Sequence, residues 1–123
     1  MAYDQTTQVI TVPVSGDLSK NQFQFVSINS SGQLALAANG AASDGVLLDN
    51  HADTSGKPGN IAISGVCRAI VGSTGCSAGD LLQVLAGAVV TNVAGTAGKV
   101  VGKALSTGVV NDIIPVLLFP VKV

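Results

Sequence analysis

Few side chains in this 123-residue sequence are of the kinds that do chemistry. The single histidine, His51, sits in Asp49-Asn-His-Ala-Asp53, where carboxylate and imidazole alternate along the chain. Donors spaced this way could hold a metal ion, and the alternation resembles the opening of a calcium loop. No glycine or distal glutamate completes that loop, and no second histidine exists, so the segment reads as a solvated turn. Serine, histidine and aspartate together could form a hydrolytic triad. That reading is set aside because the histidine lies in a polar loop and no nucleophile elbow is read in the sequence. Cys76, in a glycine-rich turn, has no base near it in sequence and reads as a structural thiol. The pairs Gly72/Gly75 and Gly95/Gly98 fit neither phosphate-binding pattern and precede strands rather than helices. The sequence therefore predicts no enzyme, with no catalytic residue, no metal and no cofactor.

Composition limits what must hold these residues. Charged residues are 11% of the chain, against roughly 25% in an ordinary soluble domain. Mean hydropathy is +0.54, yet no apolar run reaches the ~18 residues of a membrane span. So little charge leaves apolar surface that other chains are expected to cover. All seven acidic residues are aspartate, and glycine numbers 15, which favours turns over helix interiors. An all-β domain with less than about a tenth helix follows. A net charge of −1 with scattered basic residues offers no concentrated face for nucleic acid. Neither a membrane nor a small-molecule substrate is expected as a partner. No basic segment followed by an apolar core opens the chain, so a Sec leader is not expected. A Cys67–Cys76 disulfide would close only a short loop, and free thiols in a reducing compartment are expected instead.

The stretch Asn60–Leu85 organises the rest. From Ile61 to Val71 both alternation sets are almost entirely apolar, which predicts a strand covered on most of both faces, with a bend at Gly65. Two turns follow, Gly72–Gly75 and Ser77–Asp80, and Leu81–Leu85 resumes as a strand. Before this unit, Met1–Thr7 reads as an arm and Gln8–Val14 as an alternating strand that ends, or lies at an edge, at Pro13. A strand is predicted through Phe23, Phe25, Val26 and Ile28, then a hairpin over Asn29–Gly32 into Gln33–Ala37, then a short strand Gly45–Leu48. Asp49–Gly59 reads as an exposed loop. Ala88–Asn92, Val100–Leu105 and Asp112–Phe119 complete the strands, with Pro115 marking an edge or a bulge. An internal repeat is visible at an offset of roughly 55–58 residues, pairing Leu18–Phe23 with Cys76–Leu81 and Gly45–Leu48 with Gly102–Leu105. The chain thus divides into an N-terminal arm and edge strand, 1–14, and one β-rich domain, 15–123.

Gly65-Val-Cys-Arg-Ala-Ile-Val71, Ser77-Ala-Gly-Asp-Leu-Leu82, Val101-Gly-Lys-Ala-Leu105 and Ile113-Ile-Pro-Val-Leu-Leu118 occur in an order that resembles the small capsid cement, or head decoration, proteins of tailed bacteriophages. The resemblance runs from about Gly45 to Phe119. It implies a small β-barrel or β-sandwich domain, β-tulip-like, with an extended N-terminal arm. It further implies a structural protein of the virion, made in the host cytoplasm and bound to the outside of the head as a homotrimer. There such proteins bridge neighbouring major capsid proteins. Two cysteines and the long Asp49–Gly59 loop depart from the pattern. Relatives that engage the shell through an arm suggest that Val9, Ile10, Val12 and Val14 contact the capsid or a sister subunit by adding a strand to its sheet edge. On that reading, deleting residues 1–13 leaves the core folded. The alternative is a receptor- or carbohydrate-binding module of a phage fibre. One tyrosine and no tryptophan count against the stacking such a module uses.

Overall fold

Nine strands succeed one another in the computed structural model, which describes residues 5–40, 43–91 and 100–118, and none of the described residues is helical. They are β1 (Gln5–Pro13), β2 (Phe25–Ile28), β3 (Leu34–Leu36), β4 (Gly45–Leu47), β5 (Pro58–Ile70), β6 (Leu81–Leu85), β7 (Ala88–Thr91), β8 (Gly102–Ala104) and β9 (Ile113–Leu118). All pair antiparallel in one curled sheet of order β3-β2-β4-β5-β9-β8-β6-β7, with β1 added to β5. The two ends of the path meet. Phe25 N donates to Gly87 O (2.7 Å), Gly40 N donates to Val84 O (2.8 Å), and Val71 bridges Val89. The result is a small β-barrel.

β5 belongs to both halves of the sheet. Ala62 pairs with Val46 of β4 and with Val9 of β1, whereas Gly65–Ile70 pair with β9. The change of partner falls at Gly65, whose φ of 90° is a conformation that side chains with a Cβ resist by about 1–2 kcal/mol. Both faces of β5 are buried at Ile61 and Ala62, whereas beyond Gly65 one face is buried at Cys67 and Ala69 and the other is only part-buried at Val66, Arg68 and Ile70. Ala62, Cys67 and Ala69 enter the larger core with Phe25, Val46, Leu82, Val84, Val89, Ile114 and Val116. Ile61 turns the other way, into a second core with Val14, Leu18, Val26, Leu34, Leu47 and Ala52. Each fully buried large side chain here stabilises the fold by about 1.5–3 kcal/mol.

The internal repeat is present in the architecture. The sheet order is the sequence β3-β2-β4-β5 followed by its counterpart in reverse, β9-β8-β6-β7. In each half a hairpin is followed by a three-residue strand wedged between the hairpin's first strand and the last strand of the half. Backbone hydrogen bonds outside the strands recur at corresponding places, with an offset that drifts with loop length. Leu18 N to Ala52 O matches Cys76 N to Gly108 O, and Phe23 N to Leu47 O matches Gly79 N to Ala104 O. Leu48 N to Asn60 O likewise matches Leu105 N to Pro115 O.

Several sequence expectations need correction. β1 begins at Gln5, inside the segment read as an arm, and it pairs with β5 of its own chain. Residues 1–4 lie outside the described part. Phe23 precedes β2 at φ 66°, its ring 4.9 Å from the Arg68 guanidinium, so it caps the strand instead of joining it. The polar loop ends at Lys57, because Pro58 and Gly59 already belong to β5, and it is not wholly exposed, because Ala52 is buried. Pro115 lies in β9, which has β5 on one side and β8 on the other, so it is neither an edge nor a bulge. Its carbonyl accepts from Leu105 just beyond the end of β8, and the N–H it lacks would face that same unpaired stretch.

Candidate interaction surface

The residues with chemical potential are accounted for by local structure. His51 is exposed between β4 and β5. Asp49 Oδ2 accepts from the Asn60 side chain (3.0 Å), and Asp53 Oδ1 takes the Lys57 ammonium (2.7 Å) and the Thr54 hydroxyl (3.2 Å). The hydrogen bond from Lys57, with help from Thr54, holds the Asp53 carboxyl below its usual range. Asp53 is thus turned onto its own loop and Asp49 onto the start of β5. Among the described residues, no three His, Cys, Asp or Glu side chains gather as a metal site would need.

Gly75-Cys-Ser-Ala-Gly79 does spell the Gly-x-Ser-x-Gly of a nucleophile elbow, a match that the sequence reading passed over. An elbow needs a strand-to-helix turn. Here Ser77 N donates to Asp80 Oδ2 (2.8 Å), Asp80 N returns to Ser77 O (3.0 Å), and the strand β6 follows. The aspartate ties a β-turn.

Cys67 and Cys76 are free and buried. Burial pushes the Cys76 thiol up, Asp80 and Asp112 add to that, and a backbone hydrogen bond at Gly108 opposes it. A thiol raised on folding favours the folded state below its unfolded pKa, and that contribution fades as pH rises through the folded one. Neither thiol is expected to react with Ellman's reagent at pH 8 within the time an unfolded control takes to finish, and stability is expected to decline only above about pH 9. Rapid labelling of one thiol in the native protein contradicts this.

The four residues expected to form a contact surface are split by the structure. Val9 is exposed, Ile10 and Val12 are half-buried against the second core, and Val14 is fully buried inside it. Val14 therefore has no surface to offer. A second set of exposed apolar side chains lies elsewhere, on the outer faces of β6 and β9 and just beyond β8. In one row across the sheet, Leu81 opposes Lys103, Lys103 opposes Leu117, and Leu117 opposes Val66. Leu105 sits opposite Pro115, and Ile113 and the loop residues Val109 and Val110 extend the apolar area. Leu81 is 47% exposed and Val109 65%, although their neighbours Leu82 and Gly108 are buried. The strands alternate, but the outer faces of β6 and β9 still carry leucine and isoleucine. Among the described residues of β5, β6, β8 and β9, Lys103 and the part-buried Arg68 place charge on this face.

No protein-family model and no curated protein matches the sequence. A solved structure does match in fold. The head fiber gp8.5 N base of bacteriophage phi29 superposes with a TM-score of 0.71 over 96% of this chain and 98% of that one, at 14% identity. The two share the all-β barrel from end to end.

Proposed function

We propose that this protein is a structural component of a phage head, a decoration or cement protein that binds the outer capsid surface, bridges major capsid proteins and acts without catalysis. The observation that carries the reading is the end-to-end likeness to a head fiber base, which agrees with the resemblance of the Gly65–Leu118 motifs to capsid cement proteins. The apolar outer face of β6 and β9 supplies what such a protein needs, a surface that is incomplete alone. Homotrimer assembly belongs to the proposal, with the number three taken from the cement resemblance. A standard interface removes ~800 Å² per partner.

The test uses heads of the encoding phage prepared without this protein. Added protein is expected to decorate them in regular positions by negative-stain imaging, and binding is expected to survive moderate NaCl because apolar contacts and avidity dominate. Leu81→Asp/Leu117→Asp is expected to sediment as a monomer and to lose occupancy at least tenfold. Full-length protein that neither binds heads nor self-associates rejects the reading. The second reading, a receptor- or carbohydrate-binding module of a fibre, draws on the same neighbour, since that protein is a fiber. Binding to host cells or glycans but not to heads selects it.

A further inference from the structure

A pocket of about 270 Å³ opens on the other half of the molecule, lined by Gln8, Ile10, Ile28, Asp44, Ile63 and Ser64. Its shape comes from an irregularity in the sheet. Gln8 opposes Ser64 and the next residue, Val9, opposes Ala62, so β5 carries one extra residue at this point. Such a bulge breaks the strict alternation of faces, and Ile63 and Ser64, adjacent in sequence, both line the pocket. A second register shift between Gln5 and Gln8 brings the strands back into step. The rim is fixed too. Asp44 N donates to Val26 O (2.9 Å), and Asp44 Oδ2 accepts from Ile28 N (2.7 Å), which pins the carboxylate to the end of β2.

Among the described residues the lining is chemically one-sided, with three isoleucines around the hollow, two neutral polar groups, and a single carboxylate as its only charged group. The volume falls below the ~300–1,000 Å³ of sites that enclose small molecules. It suits one side chain. An aliphatic side chain ending in a cation fits this combination, because its methylenes can lie on isoleucine while its charged end reaches a carboxylate.

We propose that the pocket receives a single lysine or arginine side chain from an exposed segment of a protein partner, with the stem over Ile10, Ile28 and Ile63 and the cation on Asp44. This rests on the pocket's own chemistry and holds whichever protein supplies the side chain. One ion pair adds little salt dependence to an interface that is otherwise apolar.

The chemistry is tested on the ¹⁵N-labelled full chain with n-pentylammonium as the probe, and with 1-pentanol and hexanoate as neutral and anionic counterparts. Pentylammonium is expected to shift the amides of Ile28, Ile63 and Ser64 saturably at millimolar concentration, at least about fivefold more tightly than pentanol, and hexanoate is expected to leave them unmoved. Asp44→Asn keeps an acceptor for Ile28 N and is expected to reduce pentylammonium to the level of pentanol. Gln8→Trp, which leaves the carboxylate in place and fills the mouth, is expected to abolish both. Equal affinity for pentylammonium and pentanol, an Asp44→Asn protein that binds pentylammonium undiminished, or the absence of shifts at these amides overturns the proposal.

Discussion

Deleting residues 1–13 is expected to lower folding stability by about 3–5 kcal/mol. Seven of the nine residues of β1 pair with β5 between Pro58 and Val66, along an edge that no other described strand covers. Ile10 and Val12 close the second core over Ile61, and Ile63 packs beside them. Losing two half-buried branched side chains and uncovering what lies beneath them removes about 2–4 kcal/mol of apolar burial. The unpaired edge of β5 adds the cost of backbone groups that lose their protein partners to water, about 1 kcal/mol net. A domain of this size has a total stability of roughly 6–18 kcal/mol, so the loss is a large share of it. Chemical denaturation of the truncated chain gives the measurement, with m as a check that the same surface unfolds. The exposed β5 edge should also promote aggregation, since a free strand edge is a pairing template. A truncated chain within about 0.5 kcal/mol of the full one would restore β1 to the detachable arm that its sequence suggests.

That contrast shows what a sequence of this kind reveals. β5 was legible because two apolar alternation sets admit only a strand covered on most of both faces, and Gly65 marks the point where the strand changes neighbours. The repeat was legible because short strands that enter a crowded sheet need glycine at the same place twice, at Gly45 and Gly102. The destination of β1 was not. Alternation in Gln8–Val14 says which side chains share a face, and nothing about whose edge the backbone joins. The outer apolar face was concealed for a related reason. Leu81, Leu105, Ile113 and Leu117 look like core residues by type, and only the sheet order places them outward. The low charge fraction announced that such a face exists without locating it. The pocket was least accessible, since its residues come from three strands and the link before β4, and a one-residue bulge sets their directions. His51 and its aspartates were correctly read as a loop, but the buried anchor Ala52 between them carries no signal in a polar stretch.

The repeat makes a sharper claim about energetics. Gly45 and Gly102 open the two wedged strands, β4 and β8, each squeezed between neighbours on both sides. A methyl group at Gly102 would lie 2.6 Å from Leu117 O and 2.9 Å from Val116 Cγ1, and one at Gly45 would run into the Ala62 carbonyl oxygen. In both halves the obstruction is backbone of the adjacent strand, which cannot rotate aside as a side chain tip can. Relief requires the wedge to separate from β5 or β9, which weakens ladder bonds and opens the larger core beneath Ala62 or Val116. Overpacking of this kind costs about 1–3 kcal/mol even where side chains absorb part of it. Gly45→Ala and Gly102→Ala are each expected at the top of that range, about 3 kcal/mol, or roughly 10 °C in Tm. Gly16→Ala provides the contrast, because nothing lies within 4 Å of its added methyl and its φ is not positive. That change should leave Tm unaltered or raise it slightly, through the smaller entropy of the unfolded chain. Thermal melts of the three variants decide the matter. Losses at Gly45 and Gly102 that differ by more than about 2 kcal/mol would mean that the halves share topology without sharing packing, and a loss below about 1 kcal/mol at both would mean that the wedged strands yield.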